Sequence, residues 1–250
     1  MLSCYADSWL FVSATLSVND SFDFFKTALG LDKAIPTLTV NSPFDYPNHA
    51  VIHIAEHLPD PNQPDFISEL VKLAQPVLQK TRGRAFMLFT SHRNLNEAAE
   101  LMADSGFNLF IQGEMPKAQL IDAFMQSKNA VLLGTVSFWE GVDVAGEKLS
   151  CVIIDKIPFP SPGDPMIAEQ EKYLRRQGKN AFAECYIPRA ATLLKQGAGR
   201  LIRSADDTGI LVLGDNRMHR KSYGRQLLAA MPPARLVDND ELLHFIEKHL

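Results

Sequence analysis

Short apolar runs alternate along this chain with stretches of helical period, and that alternation limits the fold more than any other feature. The runs are 9–15 (WLFVSAT), 50–55 (AVIHIA), 85–90 (AFMLFT), 108–112 (NLFIQ), 130–136 (AVLLGTV), 150–157 (SCVIIDKI) and 209–214 (GILVLG). Most are aliphatic at successive positions, as in strands covered on both faces. Helical patterns lie near 20–29, 65–80, 93–105, 116–127, 165–177, 188–203, 219–229 and 239–249. Strand–helix alternation predicts an α/β fold, a doubly wound and mainly parallel sheet with helices on both faces. Ligands of such sheets bind beyond the carboxyl ends of the strands, so the segments that follow strands are read first.

Punctuation supports the pattern. Asn94 and Glu97 are spaced as a capping pair, and Pro116 stands where a first helical turn tolerates proline. Pro76 interrupts the 65–80 pattern and weakens it. The proline-rich stretch 157–165 (IPFPSPGDP) is a loop within the fold, because strand and helix patterns resume on both sides. The 250 residues suffice for one large domain or two small ones. A net charge of −4 means that any binding of nucleic acid must use a local basic patch. Cys4, Cys151 and Cys185 lie far apart with no C-x-x-C pair, which argues against a zinc or iron–sulfur site in this chain and fits a reducing cytoplasm. No apolar run approaches the ~18 residues of a membrane span.

Four segments carry candidate chemistry. In 193–217 (LLKQGAGRLIRSADDTGILVLGDNR) a helix that continues to residue 203 puts Gln196, Arg200 and Arg203 on one face. On a wheel with Gln196 at zero, Arg200 sits near roughly +40° and Arg203 near roughly −20°. Leu194, Ala198, Leu201 and Ile202 fall on the other side. Guanidiniums are always charged and fork onto phosphate or carboxylate, although a solvated polar face is the commoner fate of such pairs. After the run at 85–90, Ser91 and Asn94 stand at a helix start, either as a plain N-cap or as an anion site. In 137–146 (SFWEGVDVAG) Glu140, Gly141 and Asp143 crowd a turn beside Phe138 and Trp139, an aromatic pair that reads as exposed although packing on a core is the usual fate. Asp155 and Lys156 close the run at 150–157. His49, His53, His57 and His92 read as surface or satisfied core histidines.

Five segments then occur in a telling order: FVSATLS (11–17), LFTSHRNL (88–95), GTVSFWEGVDVAG (134–146), VIIDKIPFPSPGDP (152–165) and QGAGRLIRSADDTGILVLGDNR (196–217). Together the chain resembles the second RecA-like half of the XPD/DinG-type superfamily 2 DNA helicases, nearest their bacterial YoaA branch. An ordered set of five is more specific than any single motif. The resemblance implies residues 1–17 as the tail of a first helicase half and 18–250 as the second RecA-like domain. It implies Arg200 and Arg203 as arginine fingers, with Gln196 coupling nucleotide to DNA. Glu140, Gly141, Asp143 and Gly199 would meet the nucleotide. Ser91, Thr135 and Ser137 would meet the DNA backbone, with Lys156 as an outside candidate.

The same resemblance implies ATP with Mg²⁺ as cofactor, held mainly by the other half, and single-stranded or forked DNA as substrate for 5′–3′ unwinding in repair or replication. The phosphate-cradling G-x-x-x-x-G-K-[ST] and the acidic D-E-x-H segment do not occur in this sequence, nor does a cysteine quartet for the family's iron–sulfur cluster. The chain is therefore expected to be a carboxyl-terminal piece, inactive alone as an ATPase, that works with its own amino-terminal half. The alternatives are a RecA-like scaffold without catalysis and an unrelated doubly wound enzyme. The amphipathic stretch 239–249 either packs on its own sheet or docks a replisome protein, for which the branch suggests the polymerase III chi subunit.

Overall fold

A computed structural model describes residues 8–13, 15–135, 138, 144, 148–161, 163–202, 204 and 207–250. Its strands are β1 (Ala50–Ile54), β2 (Ala85–Phe89), β3 (Asn108–Ile111), β4 (Ala130–Thr135), β5 (Cys151–Ile154), β6 (Gly209–Leu213) and β7 (Arg235–Val237). They form one sheet in the order β3-β4-β2-β5-β6-β1-β7, and every pairing is parallel. Strand β2 shows why the runs are apolar throughout. Phe86 and Leu88 enter one core cluster, while Ala85, Met87 and Phe89 enter the other. A strand flanked on both sides and covered on both faces has no position for a solvated side chain. Met87 sits in register with Leu133 of β4 and Ile153 of β5. Cys151 is buried in the same layer, and burial pushes its thiol up to about 12, so it packs as a small apolar group.

The helices are α1 (Asp23–Ala28), α2 (Tyr46–His49), α3 (Phe66–Lys80), α4 (His92–Met102), α5 (Lys117–Gln126), α6 (Pro165–Arg176), α7 (Ile187–Ala198), α8 (Arg217–Arg220), α9 (Ser222–Ala229) and α10 (Asn239–His249). Helices α3, α4 and α10 cover one face of the sheet, through residues such as Leu70, Leu95 and Leu242. Helices α5, α7 and α9 cover the other, through Phe124, Leu194 and Leu227. Pro76 is tolerated inside α3 because it lies on the exposed side, away from the buried Ala74, Val77 and Leu78. Helix α10 opens with a reciprocal capping box between Asp238 and Glu241 and buries Leu242, Phe245 and Ile246. Of the two expectations for 239–249, packing on its own sheet is the one realised. No helix among the described residues is long and apolar enough to cross a membrane.

Several sequence expectations need correction. Residues 8–13 form no strand, and Leu10 and Val12 are 86% and 81% exposed. A strand exists only where neighbouring backbone groups complete its hydrogen bonds, and this segment has no neighbour in the sheet order. Strand β7 was not anticipated, since three residues are too few to display a period. The pattern at 188–203 ends early: α7 continues from a π-helical turn at Phe182–Tyr186 and stops at Ala198, with a turn beyond it. Gly197 and Gly199 weaken the helix there, and Leu201 leaves the helical path to press its Cβ within 2.7 Å of where a Cβ on Gly209 would lie. The pattern at 219–229 is two helices parted at Lys221, whose backbone is extended. The cap of α4 is Ser91, whose Oγ accepts from the Asn94 N–H at 3.2 Å, and not the Asn94–Glu97 pair.

Candidate functional site

The two central strands β2 and β5 are adjacent, yet their connections leave in opposite directions. From β2 the chain crosses by α4 toward β3 at one edge, and from β5 it crosses by α6 and α7 toward β6 on the other side. Helix α4 covers one face and α7 the opposite face. The sheet therefore has a topological switch point between β2 and β5, where loops diverge and leave a crevice. Gly214, after β6, keeps this edge tight: a Cβ there would stand 2.6 Å from the Asp155 carbonyl oxygen and 2.9 Å from Leu70 Cδ1.

Asp155 joins the loops of the switch point. Its Oδ1 accepts from the Thr90 N–H at 3.0 Å and the Lys156 N–H at 2.7 Å, and its Oδ2 accepts from Asn94 Nδ2 at 2.9 Å and Thr90 Oγ1 at 3.3 Å. The residue is 1% exposed. Burial raises its carboxyl from the ordinary 3.8 to about 6, against the lowering effect of the Asn94 amide and Lys156. The result is a fixed pair of loops presenting Ser91, Arg93, Asn94 and Lys156. With the 61–64 segment they line a cleft of about 330 Å³, which Glu97 also borders. Ser91 and Lys156 are thus brought together, as the sequence reading required of a backbone-contact patch. Thr135 ends the neighbouring β4 but is 6% exposed, and its N–H and hydroxyl both donate to Gln112 Oε1, at 2.6 and 3.1 Å.

A second buried carboxylate, Asp215, organises the loop after β6. It accepts the Ile157 N–H at 2.9 Å and is forked by Arg217, with Nη2 to Oδ2 at 2.7 Å and Nε to Oδ1 at 2.9 Å. That hydrogen bonding raises the Arg217 pKa further. The Arg217 guanidinium lies 5.9 Å from the Phe159 ring centre, and Phe159 packs with Phe182 of the π-helical turn and with Tyr223. The sequence reading noted Asp155 without giving it this role and did not single out Asp215. The available signal was an acid placed directly after the apolar runs VIID and VLGD.

The arginine segment lies at the other end of the sheet. Ala198, Leu201 and Ile202 border Ala50, Val51 and Ile52, and Leu201 meets Gly209, the first residue of β6. Gln196, Gly199 and Arg200 therefore sit near the amino ends of β1 and β6, about one strand length (~17 Å) from Ser91 and Lys156. The expectation that this segment belongs with the post-strand loops is overturned, because α7 runs antiparallel to the strand it precedes. The single-face wheel also fails, since α7 stops at Ala198 and leaves Arg200 on the following turn. Arg200 is half-buried, and loss of hydration lowers its pKa. Gln196 Oε1 is buried and accepts no hydrogen bond among the described residues. Arg203, Ser137, Glu140, Gly141 and Asp143 lie outside the described residues. Phe138 is buried, not exposed: it packs within 3.1–3.3 Å of where a Gly134 Cβ would be, under Lys117 Nζ at 5.0 Å. No three His, Cys, Asp or Glu side chains gather as a metal site among the described residues.

Comparison with known proteins agrees with this architecture. Residues 74–234 match the helicase C-terminal domain family. The chain is 46% identical over 228 residues to the ATP-dependent DNA helicase YoaA of Escherichia coli, covering 91% of this chain and 36% of that protein. It is 37% identical over 226 residues to the ATP-dependent helicase DinG of Mycobacterium tuberculosis, covering 88% and 34%. An XPD helicase structure superposes with a TM-score of 0.58 at 15% identity, over 76% of this chain and 35% of that one, which shows a shared RecA-like fold. The chain spans about a third of the length of these curated relatives. With a match over residues 74–234, the chain belongs to the helicase C-terminal domain family.

Proposed function

We propose that this chain is the second motor domain of an ATP-dependent 5′–3′ DNA helicase acting in repair or replication. The observation that carries the reading is the separation of two polar surfaces on one rigid sheet. Ser91 and Lys156 share a cleft at the switch point, while Gln196, Gly199 and Arg200 stand at the opposite end. A domain that grips a strand at one end and senses nucleotide at the other converts closure around ATP into movement along DNA. Arg200 and Arg203 would then reach ATP and Mg²⁺ held by an amino-terminal half, and offset charge developing on the transferred phosphoryl. Half-burial of Arg200 suits it to that task, since a guanidinium already short of water gains more from an anion. Gln196 would couple the two ends, Gly199 would line the nucleotide cleft beside the arginines, Glu140, Gly141 and Asp143 would meet the nucleotide from the segment that follows β4 in sequence, and Thr135 and Ser137 would support the DNA contact, Thr135 through the loop it holds.

On this reading residues 1–17 belong to the tail of the first half and 18–250 to this domain. The exposed Leu10 and Val12 favour a partner surface for that tail. An iron–sulfur cluster, if one is present, belongs to the first half. A replisome partner such as the chi subunit would have to use the polar side of α10, because its apolar side is occupied by the sheet.

The deciding test is a titration of this chain with a single-stranded oligonucleotide at several salt concentrations. Weak binding whose logarithm falls linearly with the logarithm of salt is expected, and Ser91→Ala with Lys156→Ala should reduce that slope by about one. Affinity that ignores salt, or an unchanged slope in the double variant, would remove the DNA cleft from this end of the sheet.

A further inference from the structure

The amino end of the sheet carries a second polar cleft, of about 350 Å³, that the helicase reading leaves unused. It is bordered by His49, just before β1, Thr208, just before β6, Arg235, which opens β7, and Lys248 and His249 at the end of α10. Five side chains from four parts of the chain thus converge, and they are hydrogen-bond donors in their ordinary forms. His49 Nδ1 is buried and has no hydrogen-bond partner among the described residues. His249 is held flat against Phe245, with ring centres 4.6 Å apart at 29°.

Carboxylates offset this cluster only in part. Glu247, on the same helix, is taken by Lys80. Glu241 lies 3.8 Å from Arg235 and also accepts the Asp238 N–H at the start of α10. The Leu250 carbonyl is held by Arg84 at 3.1 Å. His249 titrates below its ordinary value because of partial burial, and then because Lys248, His49, Arg235 and His244 surround it with positive charge. With one long ion pair, at Arg235, as the counter-charge named here, the gathered like charges still repel, and an anion in their midst relieves that repulsion.

We propose that this cleft binds a phosphate group, with Arg235 supplying the fork, Lys248 the point charge, and His49 and Thr208 further donors. Arg and Lys together match a doubly charged tetrahedral oxyanion better than a single carboxylate. The group belongs either to a free nucleotide or pyrophosphate, or to the backbone of a nucleic acid strand. The proposal is independent of the DNA cleft at Ser91 and Lys156, which lies at the other end of the sheet.

The test uses the whole chain with inorganic pyrophosphate as probe, followed by calorimetry and by the imidazole resonances of His49 and His249. Pyrophosphate should bind, shift both resonances and raise the His249 pKa. Arg235→Ala with Lys248→Ala, both at exposed positions, should weaken binding by about tenfold or more. Ser91→Ala with Lys156→Ala should leave the shifts of the His49 and His249 resonances unaltered. Competition identifies the source: displacement by a single-stranded oligonucleotide assigns the cleft to nucleic acid backbone, and displacement by nucleotide alone assigns it to free phosphates. Unmoved imidazole resonances, or equal affinity in the Arg235 and Lys248 variant, would overturn the proposal.

Discussion

The side-chain amide of Asn94 donates to Asp155 Oδ2 across 2.9 Å, linking residues 61 apart in sequence. One is in the first turn of α4 and the other directly follows β5, so this bond sets the distance between the two walls of the switch-point cleft. Because the carboxylate is buried, the linkage is sensitive both to its protonation and to its removal.

Asp155→Ala should destabilise the fold by about 3–5 kcal/mol, since buried donors at Thr90, Lys156 and Asn94 lose their acceptor. Asp155→Asn should cost less, because its remaining oxygen can keep Thr90 and Lys156 and the Asn94 amide can turn over. The wild-type carboxyl titrates near 6 in the fold, above the ordinary 3.8. Between those values the folded protein holds a proton that the unfolded chain releases. This group's contribution to stability therefore declines as pH rises from about 4 to 6, by about 3 kcal/mol. Urea melts across that range should show the decline in wild type and its loss in Asp155→Asn, and parallel pH curves for the two would disprove the assignment.

Gly214→Ala is expected to be harmful out of proportion to one methyl group. The added carbon would meet the Asp155 backbone oxygen at 2.6 Å, which cannot yield without shifting the end of β5, and Leu70 Cδ1 at 2.9 Å, which would have to turn within a packed layer. A loss of about 1–3 kcal/mol follows. A melting temperature within one degree of wild type would show that the strand ends are looser than described.

Leu242→Ala should lower stability by about 2–5 kcal/mol, because Leu242 is 0% exposed within the layer formed with α3 and β1. Denaturant unfolding measures it directly. A negligible change would return α10 to the role of a detachable docking helix.

Arg200→Ala, in this chain joined to an ATP-binding first half, should cut DNA-stimulated kcat by about 10³-fold or more while nucleotide binding changes far less. Arg200→Lys should not restore it, because an ammonium lacks the fork. Near-native turnover in the alanine variant would disqualify Arg200 as an arginine finger.

Much of the fold was legible because its strands are central. A strand buried on both faces must be apolar at every position, so β1, β2, β4, β5 and β6 stood out as runs, and periodicity located the helices between them. The edge strand β3 was also legible, as the run at 108–112, but the opposite edge and the breaks were not. Strand β7 is too short to show a pattern, and the segment at 9–15 has strand composition without a strand's neighbour. Helix α7 stops at Ala198 because Leu201 finds better contacts at Gly209 than on the helical wheel, a choice made by another strand's glycine.

The candidate site divides the same way. Side-chain chemistry is local, so the sequence by itself determined which residues have the chemistry to meet phosphate: Ser91, Lys156, Arg200 and their neighbours. Which of them meet was decided by strand order, a long-range property. Placing β5 beside β2 brought Lys156 to Ser91 and gave Asp155 three of its four donors. Running α7 antiparallel to β6 carried Arg200 to the far end of the sheet. Charge and apolar pattern are written residue by residue, but a shared cleft or a buried carboxylate's partners arise only when hydrogen bonding and packing bring distant segments within a few ångströms of one another.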